Sequence, residues 1–304
     1  MTREAAVVAA VLAFGLAQPQ TPRFRAAVEA VTVDVLVTDR GRPVAGLSAA
    51  DFELRDAGVI QSISAVEMSD VPVSLLMALD TSESVHGTLL QHLKEGAAAA
   101  MGALAPGDRA ALITFNQAVI VRAEWGATQG VIVGSIERAA ASGTTSLFDA
   151  AFAALVLRDP LPGSRSMIML FSDGGDTASW LPARAALEQG RRTEAVVYSI
   201  AKTRWPNTAM YRQSGIQLWP EATGSMPESE DFLSALADAT GGRTFVADRG
   251  SGLRDIFQRI VTDFRSRYVL SYTPQGVDRP GWHPLDVKLT SKRGSVRARR
   301  GYSR

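Results

Sequence analysis

Short apolar runs alternate with helical patterns over residues 71–266, and this alternation constrains the fold more than any other feature of the sequence. The apolar runs resemble strands that are buried on both faces of a parallel sheet. They cover residues 73–79, 110–115, 167–171, 195–200 and 243–246. Helical spacing occurs between them at Leu89, Leu93, Ala97, Met101 and Leu104, at Ala150, Ala154 and Leu157, and at Ile256, Ile260 and Phe264. The alternation predicts an α/β domain with a doubly wound, mostly parallel sheet and helices on both faces.

Three polar segments lie next to these predicted strands and helices. Asp80, Ser82 and Ser84 form a D-x-S-x-S sequence after the first strand, the segment S-G-T-T-S at 142–146 precedes a helix, and Asp173 ends the third strand in S-D-G. Right-handed crossovers place the carboxyl ends of parallel strands at one edge, where ligands bind. Carboxylate and hydroxyl oxygens suit Mg²⁺ better than zinc or copper. D-x-S-x-S alone is equally typical of a turn or a helix cap, so the combination of all three segments predicts the site.

The three segments, in this order and spacing, resemble the metal-ion-dependent adhesion site (MIDAS) of a von Willebrand factor type A domain, and the resemblance covers residues 71–265. It implies that Ser82 and Ser84 coordinate a metal directly and that Thr144 binds it directly or through water. Asp80 and Asp173 are implied to act mainly through bridging waters and hydrogen bonds.

The resemblance also implies a function. A cation held by neutral hydroxyls and indirectly bound carboxylates keeps an open coordination position, which an Asp or Glu side chain of a partner protein completes. The implied cofactor is Mg²⁺ or Mn²⁺. Thr145 competes with Thr144 as the ligand, because only backbone geometry decides which hydroxyl faces inward. Glu83, at the variable position of D-x-S-x-S, is expected to face solvent.

Both ends of the chain have the alternating pattern of β-strands. Residues 25–68, which contain V-x-V-x-V, are predicted to form a small β-module, and residues 266–304 a β-hairpin. Neither flank has enough strands to bury a face alone. We therefore expect the flanks to pair into a small β-sandwich in which the α/β domain is inserted. The flanking sequences D-F-x-L-x-D-x-G and Y-x-L-x-Y-x-P resemble bacterial "VWFA-related" proteins that are abundant in acidobacterial genomes.

The amino terminus has the pattern of a secretory signal peptide. After Arg3, residues 5–17 are small or apolar without interruption, which is too short a run to span a bilayer. We predict cleavage after Ala17, with an uncleaved anchor or a misassigned start as alternatives. The expected location is secreted, periplasmic or in a bacterial cell envelope, without an integral membrane segment after cleavage.

Composition excludes several other classes of function. The chain has no Cys and only three His, which removes thiolate metal sites and disfavours a three-histidine centre. A net charge of +1 gives no overall field for nucleic acid, so we expect none as a partner. His86 and His92 are expected on a helix surface. Asp176 tightens its loop or contacts the ligand, and the aromatic-rich segment 203–229 is either a partner-selecting rim or a mobile insertion.

The sequence favours a binding module over an enzyme. A hydrolase that uses the metal to activate water is the main alternative, but no general base is evident beside Ser82 and Ser84. A Ser-His-Asp hydrolase is disfavoured because no G-x-S-x-G turn occurs. A metal-free assembly domain is the third alternative, and the intact set of five oxygen-bearing residues argues against it.

Overall fold

A computed structural model describes residues 30–68, 71–159, 161, 163–173, 175–202, 229–247, 252–290 and 293–304. The predicted signal peptide at 1–17 and nearly all of the segment 203–229 lie outside the described residues. The strands are β1 (Val31–Asp39), β2 (Arg42–Pro43), β3 (Phe52–Asp56), β4 (Val59–Gln61), β5 (Ile63–Met68), β6 (Val73–Asp80), β7 (Arg109–Phe115), β8 (Val119–Ala123), β9 (Arg165–Ser172), β10 (Val196–Lys202), β11 (Thr244–Ala247), β12 (Tyr268–Tyr272), β13 (Trp282–Leu289), β14 (Ser295–Arg297) and β15 (Gly301–Ser303). The α-helices are α1 (Thr88–Gly102), α2 (Gln129–Glu137), α3 (Leu147–Val156), α4 (Ala183–Arg192), α5 (Ser229–Ala239) and α6 (Leu253–Arg265).

Strands β6 to β11 form one six-stranded sheet in the order β11-β10-β9-β6-β7-β8. All neighbouring strands in it are parallel except β7 and β8, which are antiparallel. The mostly parallel sheet predicted from the apolar runs is therefore confirmed. The central strand β6 is buried along its whole length, as expected for a strand covered on both faces.

Helices cover both faces of this sheet. Apolar residues of α1, α2 and α6 form one buried cluster with the strands, and those of α3, α4 and α5 form a second cluster on the opposite face. The predicted doubly wound arrangement is confirmed. Within the described part of the chain, no helix has the length and apolar character needed to cross a membrane.

The flanking segments form two antiparallel sheets that pack on each other. One sheet has the order β14-β1-β12-β5 with β2 beside β1, and the other has the order β15-β13-β3-β4. Their facing side chains form a third apolar core, which includes Val33, Val35, Leu54, Tyr268 and Leu270. Strands from before and after the α/β domain are neighbours in both sheets, so the expected β-sandwich with an inserted domain is present.

The predicted carboxy-terminal hairpin is wrong. β12 pairs with β1 and β5 in one sheet, whereas β13 pairs with β3 and β15 in the other. The nine-residue connection at 273–281 thus crosses from one sheet to the other. β12 and β13 belong to the two facing sheets, and each buries its apolar side in the core between them. If they paired as a hairpin in one sheet, the other sheet would lack one of its inner strands.

Candidate metal centre

The first part of the candidate site lies where β6 ends at the carboxyl edge of the parallel sheet. Asp80 is the last residue of the strand and is fully buried. The backbone N–H and the hydroxyl of Thr81 both donate to the carbonyl oxygen of Phe115 at the end of β7, at 2.7 and 3.1 Å. These bonds turn the chain across the top of the neighbouring strand, and a short 3₁₀ turn at Glu83–Val85 follows.

Four of the five predicted site residues form one hydrogen-bonded cluster. Asp80 Oδ1 accepts a bond from the backbone N–H of Ser82 at 2.8 Å. The hydroxyl oxygens of Ser82 and Ser84 lie 3.1 Å apart, and the Ser84 hydroxyl donates to Asp173 Oδ1 at 2.9 Å. The structure thus brings together oxygen atoms from the loop after β6 and from the end of β9.

Ser172, which was not among the residues predicted from the sequence, completes this cluster. Its hydroxyl donates to Asp80 Oδ2 at 2.8 Å, so both carboxylate oxygens of Asp80 are held by hydrogen bonds. Ser172 belongs to the S-D-G sequence that singled out Asp173. The feature that could have identified Ser172 is its position at the end of β9, because β9 is the neighbour of β6, which ends at Asp80.

The loop at 142–146 is attached to the Ser82–Ser84 loop through backbone bonds. The N–H of Ser142 donates to the carbonyl of Thr81, and the N–H of Glu83 donates to the carbonyl of Gly143, each at 2.9 Å. Gly143 has a φ of +75°, and a Cβ there would lie 1.8 Å from Gln117 Oε1. Glycine therefore allows both the backbone conformation and the close approach of Gln117.

Thr144 and Thr145 occupy different environments in this loop. Thr144 is exposed and directly follows the carbonyl that contacts Glu83. Thr145 is buried, and its backbone N–H donates to Thr177 Oγ1 at 3.0 Å while its carbonyl accepts from Thr177 and Ala178. The segment at 142–146 is thus adjacent to the cluster, and Thr144 lies on the solvent side of this segment.

Negative charge in the cluster is buried. The pKa of Asp80 is raised to about 6 overall: burial is the main cause and the nearby charge of Asp173 adds to it, while hydrogen bonds from Ser82 and Ser172 act in the opposite direction. Asp173 is only 6% exposed. Among the described residues, neither carboxylate forms an ion pair with a Lys or Arg. A bound cation would offset this uncompensated charge.

The chemistry of the donors fits a hard divalent cation. The cluster offers three serine hydroxyls and two carboxylates, all oxygen ligands. No group of three or more His, Cys, Asp and Glu suited to a metal occurs in the part of the chain that the structure describes. A metal at this edge would therefore depend on hydroxyl oxygens.

The remaining polar residues singled out in the sequence lie around the cluster. Glu83 and His86 are exposed, and the His86 ring nitrogen Nδ1 is 2.6 Å from the Glu83 carbonyl oxygen. His92 lies on α1. Asp176 accepts bonds from the Phe148 N–H and the Ser179 hydroxyl, so it tightens the loop at the start of α3, one of its two expected roles.

Comparison with known proteins agrees with the α/β fold described above. Residues 75–175 match the family model described as the von Willebrand factor type A domain. The structure is similar to a von Willebrand factor type A protein from Catenulispora acidiphila, at 12% identity and a TM-score of 0.52, covering 86% of this chain and 74% of that one. No curated protein matches the chain.

A second similar structure is proximal thread matrix protein 1 from the mussel byssus, described as having a zinc-occupied MIDAS motif. Its identity is 14% and its TM-score 0.51, with 67% of this chain and 48% of that chain covered. The present chain thus spans about half the length of that protein. At these identities the likeness to both structures shows the fold.

Proposed function

We propose that this chain, whose residues 75–175 match the von Willebrand factor type A domain model, binds a partner protein through a divalent cation. Asp80, Ser82, Ser84, Thr144 and Asp173 hold the cation in this proposal. The observation that carries it is the hydrogen-bonded cluster of Asp80, Ser82, Ser84 and Asp173, which gathers oxygen ligands from separate loops at the carboxyl edge of the sheet.

The five proposed residues have distinct roles in holding the cation. Ser82 and Ser84 supply hydroxyl oxygens, and Thr144 supplies a third from the solvent side of its loop. Asp80 fixes the backbone of Ser82, and Asp173 orients the hydroxyl of Ser84. Because these ligands are mostly neutral, a bound cation keeps enough positive charge to attract an acidic side chain of the partner.

Mg²⁺ and Mn²⁺ are the proposed cations, since both prefer oxygen ligands. The mussel byssus protein is described with zinc at its MIDAS motif, so zinc is included among the metals to test. We place the interaction outside the cytoplasm or in a cell envelope, on the basis of the apolar run at 5–17.

We propose a binding role and no catalytic one. A metal-dependent hydrolase would need a general base beside the metal. Asp173 accepts a bond from Ser84, Asp80 accepts bonds from Ser82 and Ser172, and the His86 ring contacts a backbone carbonyl. Metal-dependent turnover of generic phosphate or ester substrates that is lost in Asp173→Asn would favour the hydrolase.

Thermal unfolding with and without metal tests the proposed site. A ligand that binds only the folded state raises stability by about 2.7 kcal/mol at 100 times its Kd. We therefore expect Mg²⁺ or Mn²⁺ to raise the Tm by roughly 5 °C or more over the EDTA-treated protein. An unchanged Tm at millimolar metal would contradict the proposal.

Two variants of the same loop make this test specific. Ser82→Ala removes one hydroxyl from the cluster and is expected to abolish the metal-dependent rise in Tm while the protein stays folded. Glu83→Gln removes an exposed charge one residue away and is expected to keep the rise. Equal loss in both variants would mean that the metal acts through surface charge.

A further inference from the structure

Trp180 is the most exposed large apolar side chain among the described residues. It is 93% exposed, whereas the next most exposed, Val246, is 62% exposed. Within the described part of the chain, its indole makes no hydrogen bond, ring contact or cation–π contact. A buried aromatic side chain removes about 150–250 Å² from water, so a partner that covered this indole would gain a large apolar contact.

The backbone of Trp180 is held in place even though its side chain is free. Its N–H donates to Asp149 Oδ2 at 2.9 Å, and the N–H of Leu181 donates to Asp149 Oδ1 at 2.8 Å. Ser179 accepts bonds from the N–H groups of Phe148 and Asp149 at the start of α3, at 3.0 and 3.1 Å. The backbone that carries the indole is therefore ordered before a partner binds, so that only the side chain itself has to be immobilised on binding.

The same segment connects Trp180 to the candidate metal centre. It runs seven residues on from Asp173, and the N–H groups of Thr177 and Ala178 both donate to the Thr145 carbonyl, at 2.8 and 2.9 Å. Thr145 directly follows the proposed ligand Thr144. Trp180 and the metal ligands thus share one hydrogen-bonded set of loops at the carboxyl edge of the sheet.

The charged groups around Trp180 favour an apolar side chain of the partner over a cationic one as the group that contacts the indole. Asp149 lies in the first turn of α3, where the helix offsets negative charge, and its two carboxylate oxygens accept bonds from the backbone N–H groups of Trp180 and Leu181. The Asp176 carboxylate likewise accepts bonds from Phe148 and Ser179. These carboxylates are directed at the backbone, so the indole face is the feature that a partner meets.

We propose that Trp180 is a second anchor for the partner protein, beside the metal. The partner presents an Asp or Glu side chain to the cation and, at a fixed distance from it, a large apolar side chain that covers the indole. This inference rests on the proposed function and adds a specificity residue to it. A few residues carry most of the binding energy at an interface, and tryptophan is enriched among them.

A phage-displayed library of random linear peptides tests the inference. The full chain is immobilised in Mg²⁺, bound phage are eluted with EDTA, and the selected peptides are synthesised for affinity measurements. We expect them to share an acidic residue and a large apolar residue at a constant spacing. Trp180→Ala should bind them about tenfold more weakly or worse, while keeping the metal-dependent rise in Tm.

A double-mutant cycle assigns the contact. Replacing the apolar residue of the peptide with Ala should weaken binding to the wild-type chain but change little with Trp180→Ala. Trp282→Ala, which changes a partly exposed tryptophan of the sandwich, is the matched control and should bind as the wild type does. Full affinity in Trp180→Ala, or peptides that share an acid without a spaced apolar residue, would overturn the inference. If no acidic peptide is released by EDTA from the wild-type chain, the proposed function fails and this inference with it.

Discussion

The hydroxyl of Ser84 joins the two strand ends of the candidate metal centre, because it contacts Ser82 Oγ and donates to Asp173. The sequence could predict this meeting of residues. D-x-S-x-S and S-D-G each follow an apolar run, and parallel topology places such ends at one edge. The sequence could not decide between Thr144 and Thr145, since which side chain is exposed depends on the backbone bonds of Thr145 to Thr177.

Gly143 gives a prediction at the scale of one residue. Gly143→Ala places a Cβ at a φ of +75° and 1.8 Å from Gln117 Oε1, so the side chain of Gln117 must move and the backbone is strained. We expect the free energy of unfolding to fall by about 1–2 kcal/mol. Chemical denaturation in EDTA measures this without a contribution from metal.

Gly130→Ala is the matched control for this variant. Gly130 lies in α2, and a Cβ there would meet no atom within 4 Å. Its substitution should leave stability unchanged or slightly raised, because alanine favours helix over glycine. Equal effects of the two substitutions would mean that Gly143 is not required for the loop conformation.

At the scale of elements, the sequence predicted the buried strands better than the exposed ones. The runs that became β6 and β9 are almost wholly buried, and burial on both faces is what makes such runs continuous in sequence. β8 was not predicted, because only Ala123 of its five residues is buried. The false hairpin of β12 and β13 has another cause. Alternation shows that a strand has one buried face, but it does not show which sheet the strand joins.

Asp56 explains how strands of both sheets are held together. Its carboxylate accepts bonds from the hydroxyls of Tyr272 on β12 and Tyr302 on β15, each at 2.8 Å, and lies 3.1 Å from the ring of His283 on β13. Burial, and the bond to Asp56, raise the pKa of Tyr272, so this hydroxyl remains a donor at neutral pH.

Loss of this carboxylate is therefore expected to weaken the sandwich. Asp56→Ala leaves the buried hydroxyl donors of Tyr272 and Tyr302 without their acceptor and removes the partner of the His283 ring, and we expect a loss of roughly 3 kcal/mol in the free energy of unfolding. Asp286→Ala on β13 removes only a half-exposed ion pair with Lys288 and should cost less than about 1 kcal/mol. Urea denaturation of both variants makes the comparison, and similar losses would show that Asp56 does not join the sheets.

At the scale of the whole molecule, arginine side chains join the sandwich to the α/β domain. Arg267 is fully buried between α6 and β12, and it donates to the hydroxyl of Tyr198, the carbonyl of Asp34 and the carbonyl of Gly241. Arg165 at the start of β9 forms an ion pair with Asp34 on β1. These contacts lie at the amino ends of the parallel strands, opposite the edge that carries the candidate metal centre.

The sequence predicted the inserted arrangement but not these contacts. Two flanks that are each too short to bury a face have to pair with one another, and this follows from the number of strands alone. A buried arginine has no such signature, because its partners at 34, 198 and 241 are distant in sequence and two of them are backbone carbonyls.

Anomalous scattering from crystals of the protein grown with Mn²⁺ tests the central claim most directly. We predict a strong anomalous peak at the carboxyl edge of the parallel sheet, about 2 Å from the hydroxyl oxygens of Ser82 and Ser84. Ser82→Ala crystals grown under the same conditions should lack this peak. Wild-type crystals with no Mn²⁺ peak between Ser82, Ser84 and Asp173 would contradict the account.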